Sequence, residues 1–96
     1  MTYRQIIETF TIVAKYNGGI DNECFQIWAR RGVYGIIFNE TPSADDLRKL
    51  SKMEWLLGND TDLDDNDAEK WQNSDKLSDE ELIALFEIYN GIFTVE

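Results

Sequence analysis

Two apolar runs, Cys24–Ala29 and Val33–Phe38, are separated by a short break whose only flexible step is Arg31-Gly32. A two-residue connection of this kind fixes a hairpin register. With Arg31-Gly32 as the loop, Arg30 pairs with Val33, Ala29 with Tyr34, Ile27 with Ile36, and Phe25 with Phe38. A hairpin is therefore expected over 24–38. Its inner face carries Phe25, Ile27, Ala29, Tyr34, Ile36 and Phe38, six side chains suited to burial under helices. Its outer face carries Cys24, Gln26, Trp28, Arg30, Val33, Gly35, Ile37 and Asn39. There Trp28 stands across from Gly35, and an indole over a strand glycine stabilises a sheet. A slip of one residue would exchange the faces. Trp28, Val33 and Ile37 are either covered by another element or form a patch for a partner.

Helical periodicity brackets the hairpin. Tyr3, Ile6, Ile7, Phe10, Val13 and Ala14 predict an apolar helical face over 3–16. Thr2 and Gln5 have capping-box spacing, and Asn17-Gly18-Gly19 stops the helix. The β-branched Thr9, Thr11, Ile12 and Val13 argue for a competing strand. After Thr41-Pro42, Ser43 caps a second helix expected over 43–57, with Leu47, Leu50, Met53 and Leu57 as its stripe. A third helix over 78–90 carries the Ser78/Glu81 capping box and a Leu77/Leu82 staple, and turns Leu82, Leu85, Phe86 and Tyr89 inward. Asn90-Gly91 ends it, and Ile92–Val95 reads as a strand added to the hairpin. The expected fold is one α+β domain spanning 1–96, in the order α-β-β-α-α-β, with a three-stranded antiparallel sheet packed on helices. Residues 59–76 are read as a long acidic loop with a short helical turn near Asp67–Gln72.

Ninety-six residues suffice for one core, and so short a chain buries only about 60–65% of its unfolded surface. A deep catalytic cavity is not expected. No apolar run approaches the roughly 18 residues of a membrane span, and Arg4, Glu8 and Lys15 interrupt any leader-like stretch. The single cysteine, Cys24, forms no intrachain disulfide and reads as a small buried hydrophobe. A cytoplasmic setting is the expectation.

Histidine is absent, which removes Ser–His and Cys–His pairs and histidine metal ligands. No lysine has an acid two positions before it, and no nucleophile elbow, phosphate loop or C-x-x-C occurs. Asp60, Asp62 and Asp64 fit the opening of a calcium loop. However, Asp65 stands where that loop needs glycine, and Trp71 where it needs a bidentate glutamate. We expect neither catalysis nor a cofactor nor a dedicated metal site.

Charge is the remaining signal. The chain carries a net −10, divided into +1 over residues 1–39 and −11 over residues 40–96. Such a surface repels nucleic acid and anionic membrane and attracts basic protein. Ten acids lie between Asp60 and Glu81 against Lys70 and Lys76. In an extended stretch Asp60, Asp62 and Asp64 would project about 6.6 Å apart, a row able to imitate a phosphate backbone. Asp79, Glu80 and Glu81 also favour the dipole of the third helix, and the alternative reading of the tract is a solvated loop. Trp71 either folds onto the core or, exposed, anchors an acidic interface. The candidate partner-binding set is Asp60, Asp62, Asp64, Asp65, Asp67, Glu69, Trp71 and Asp75.

In size, charge and lack of histidine, though in no motif, the chain looks like the small acidic proteins that phages and mobile elements direct against restriction or CRISPR nucleases. The resemblance implies a non-catalytic inhibitor that mimics DNA or RNA on the basic surface of a nucleic-acid-handling enzyme. The alternative is an adaptor, antitoxin or immunity-type protein with one basic protein partner. Either acts as a monomer or homodimer and binds no nucleic acid directly.

Overall fold

A computed structural model describes residues 1–23, 27–58 and 63–95. Cys24, Phe25, Gln26, Asp60 and Asp62 lie outside the described residues. The elements are α1 (Tyr3–Tyr16), β1 (Ile27–Arg30), β2 (Val33–Ile37), α2 (Ala44–Ser51), β3 (Leu56–Leu57), α3 (Asp65–Gln72), a 3₁₀ turn (Ser74–Lys76), α4 (Asp79–Tyr89) and β4 (Gly91–Val95). The fold is α+β as expected, but the antiparallel sheet has four strands, in the order β1-β2-β4-β3.

The hairpin has the expected register, with Ile27 opposite Ile36, Trp28 opposite Gly35, Ala29 opposite Tyr34 and Arg30 opposite Val33. Its loop is the mirror-image turn that matches strand twist, since Arg31 and Gly32 both have positive φ, 51° and 80°. The helix starts also follow the sequence. Thr2 with Gln5 and Ser78 with Glu81 form complete capping boxes, and the Ser43 side chain accepts from the Asp46 amide. Asn90 closes α4 in the left-handed region.

Two expectations about elements are corrected. The helix expected over 43–57 ends at Ser51. The chain turns through Glu54 at φ 61°, and Leu56-Leu57 pair with Phe93 and Ile92. Leucine is buried equally well in either conformation, and the open edge of β4 supplies backbone partners that a longer helix would leave unused. The tract 59–76 holds regular structure, namely α3 and the 3₁₀ turn, so its described part is no loop. Asp64 caps α3 by accepting from the Asn66 amide at 2.8 Å.

Two expectations about faces are corrected as well. Ile36, Ile92 and Leu57 form a cross-strand row at the centre of the core, each at most 2% exposed. Ile36 and Phe38 are buried as expected. Ile27, at the β1 end of that row, is exposed, as are Ala29 and Tyr34. The helical layer covers β2, β4 and β3 but leaves the edge strand open. In α1 the buried residues are Thr9, Ile12 and Val13. The stripe of Tyr3, Ile6, Ile7 and Phe10 faces solvent instead. The helix carries two apolar faces; the one with Ile12 and Val13 goes inward, and there the Trp55 indole donates to the Thr9 hydroxyl at 2.8 Å.

Hydrogen bonds between distant segments fix the rest. Asn17, at the C-cap of α1, donates to the Ile37 carbonyl and accepts from the Asn39 amide, at 3.0 and 2.8 Å. The Trp71 indole donates to the Trp55 carbonyl at 2.7 Å. Arg48 joins α2 to the start of α4 through the Leu77 carbonyl at 3.0 Å and Asp79 at 2.7 Å. No helix among the described residues is long and apolar enough to cross a membrane.

Candidate functional site

The acidic candidates separate into residues held by the fold and residues left to solvent. Asp64 is spent as a helix cap. Asp67 accepts from the Tyr89 hydroxyl at 2.7 Å, and that hydroxyl also accepts from the Asp64 amide at 3.3 Å. Burial, then the Asp67 hydrogen bond, pushes the Tyr89 phenol above its ordinary pKa. Asp75 pairs with Lys52 at 3.2 Å. Trp71, a candidate contact residue, is fully buried between α3 and the segment leading into β3. It anchors the tract onto the core and offers no surface.

Among the described candidates, Asp65 and Glu69 form no ion pair with another described residue. Asp65 and Glu69 lie one turn apart on α3, and Glu80 and Glu87 project from α4, the helix against which α3 packs. All four are exposed, and none forms an ion pair with another described residue. Asp65 and Glu80 stand in first turns, where a negative charge suits the helix dipole. Glu87 stands in the last turn of α4, which has no basic residue. There the dipole opposes it. Glu81 is different: the Ser78 amide and hydroxyl hydrogen bonds hold its carboxyl below the usual range. Among the described residues no group of three potential ligands converges on a metal position.

A second surface was not foreseen. Ten large apolar side chains are exposed among the described residues. Eight of them, Met1, Ile6, Ile7, Phe10, Ile20, Ile27, Tyr34 and Val95, line two adjoining grooves, and Tyr3 lies one turn before Ile6 and Ile7 on the same side of α1. Ile6, Phe10 and Ile27 form the ridge of this face. One groove, of about 380 Å³, runs from the ridge toward Ile7 and Ile20, and another, of about 720 Å³, toward Met1, Tyr34 and Val95. The sequence held a signal for this face. Six apolar or aromatic residues over Tyr3–Tyr16 outside the Val13–Ala14 step span more of the helix than one buried stripe can use.

The outer sheet face gives a milder result. Trp28, Gly35, Phe93 and Leu56 line up across all four strands. Trp28, Val33 and Ile37 are half-buried. The Trp28 indole N–H is buried and has no hydrogen-bond partner among the described residues.

The carboxylates of α3 and α4 and the apolar face of α1 and β1 are thus two exposed surfaces opposite in kind. The chain matches no known protein family, no curated protein and no solved structure.

Proposed function

We propose that this protein is a non-catalytic acidic inhibitor that occupies the basic nucleic-acid-binding surface of a DNA- or RNA-handling protein. The observation that carries this reading is the set of unpaired, exposed carboxylates at Asp65, Glu69, Glu80 and Glu87. Glu87 weighs most, because its position at the end of α4 is electrostatically unfavourable for the fold and finds its use outside the chain. Asp60 and Asp62, adjoining in sequence, extend the same negative tract. Carboxylates held at fixed spacing on two packed helices present a patterned field, which steers a basic partner and competes with phosphates for it.

The test is capture of partners on the immobilised protein, followed by challenge with double-stranded DNA and single-stranded RNA. The expected result is a nucleic-acid-binding protein released by polyanion and by moderate salt. A partner that stays bound in excess nucleic acid would overturn the mimic reading. It would favour the second one, an adaptor, antitoxin or immunity-type protein recognising a single basic partner. That second reading draws on Asp75 and Asp79, whose pairing with Lys52 and Arg48 breaks the acidic surface into separate patches.

A further inference from the structure

We propose that the apolar face of α1 and β1 is a self-association surface, on which a second copy of this chain packs to form a two-fold homodimer. The first argument is area. Aromatic side chains expose roughly 150–250 Å² each when free. Scaled by their fractional exposures, the nine residues together offer on the order of 900 Å². The largest apolar patch of a typical monomer is about 300–600 Å². A standard stable interface takes about 800 Å² from each partner.

Shape gives the second argument. Tyr3 is 86% and Ile7 68% exposed, so they stand out as knobs, while open grooves flank the Ile6–Phe10–Ile27 ridge. Knobs and grooves on the same patch are what an isologous contact uses, since each copy inserts into the other reciprocally. β1 borders this face as an edge strand, paired on one side only among the described residues.

Charge selects the occupant. Glu23 and Glu54 line the grooves, Arg4 and Glu8 stand on α1, and Arg31 sits in the turn after β1, all exposed, so both signs occur on the elements that form this face. Arg4 and Glu8 stand one turn apart yet form no ion pair within the described residues. A strongly basic or strongly acidic partner would meet like charge somewhere on this face. A second copy related by a two-fold axis brings the same mixture of both signs, which can pair across the contact. Eight of the nine residues belong to the part of the chain that carries net +1, Val95 alone to the acidic part.

Sedimentation equilibrium of the intact chain across a wide concentration range is the test. Dimer is expected for the wild type, and it should strengthen as salt rises, because screening relieves repulsion between two chains of net −10. Ile7→Glu should abolish the dimer while circular dichroism and melting of the monomer stay unchanged. Tyr3→Ser, at an 86% exposed position, provides the same reading should Ile7→Glu fail to fold. Asp65→Asn with Glu69→Gln should leave the dimer intact. A wild type that remains a single chain at every concentration would overturn the proposal, as would a dimer that survives both Ile7→Glu and Tyr3→Ser. Saturable uptake of an apolar dye by a strictly monomeric protein would assign the grooves to a small ligand instead.

Discussion

The Trp28 indole lies against the backbone of Gly35, its cross-strand partner, so closely that a Cβ on residue 35 would overlap the ring carbons Cε2 and Cζ2. Gly35 has no positive φ, so the need for glycine here is steric. Gly35→Ala must displace the indole or bend β2, and should cost about 1–3 kcal/mol in chemical denaturation. In a Trp28→Ala background the same substitution should cost much less. A double-mutant cycle without coupling between the two positions would refute this account.

Arg31 occupies the left-handed region, at φ 51°. A side chain with an ordinary Cβ is held there at a cost of roughly 1–2 kcal/mol. Arg31→Asn relieves most of that and should stabilise the fold by about 0.5–1 kcal/mol. Thermal melting should rise by several degrees, and an unchanged or lower midpoint would count against the turn assignment.

Asp46 is buried, accepting from Lys15 at 2.7 Å and from the Tyr16 hydroxyl at 2.5 Å. Burial alone would push its carboxyl up, but those two hydrogen bonds, aided by the charges of Lys15 and Lys49, outweigh it and hold the pKa below the ordinary 3.8. A carboxyl lowered in the folded state stabilises above its unfolded pKa, and that contribution fades as pH falls through the folded value. Asp46→Asn should therefore cost about 1.5–3 kcal/mol at neutral pH. Because the Lys15 side chain is 54% exposed, the Tyr16 bond carries more of this than the ion pair does. The gap from wild type should close below about pH 4, and urea melts from neutral to acid pH would reveal a constant gap if the account fails.

Glu87→Gln removes a charge from the unfavourable end of α4 and should raise stability by about 0.3–1 kcal/mol. Combined with Asp65→Asn, Glu69→Gln and Glu80→Gln, it should slow association with a basic partner by about tenfold or more at low salt, leaving dissociation little changed. Stopped-flow kinetics at two salt concentrations would settle it. Equal association rates for the quadruple variant and wild type would identify the carboxylates as solubilising groups.

What the sequence reveals here depends on the range of the interaction. The hairpin register and the caps at Thr2, Ser43 and Ser78 rest on contacts within a few residues, and they are legible. The end of α2 was hidden because Leu56-Leu57 continues the leucine stripe while its true partners, Ile92 and Phe93, lie far along the chain. Nothing near Thr9 in sequence announces Trp55, which donates to its hydroxyl, so the expected face of α1 holds for Val13 but fails for Tyr3, Ile6, Ile7 and Phe10. Asp67 looked like one more surface acid, since nothing near it in sequence announces Tyr89. The acidic half of the candidate site was visible as charge, whereas the apolar half became visible only once the buried side of α1 was known.

β4 completes the sheet from the middle, between β2 and β3. Among the described residues the other strands precede it in the chain, so the hairpin and the Leu56-Leu57 edge are made before the strand that joins them. Until Gly91–Val95 leaves the ribosome, Ile36 and Leu57 lack the strand that carries Ile92 between them. Closure across so many residues is slow compared with forming the hairpin itself. The domain thus acquires its tertiary order late and nearly all at once, and a nascent chain halted before Gly91 would remain open to proteases along most of its length.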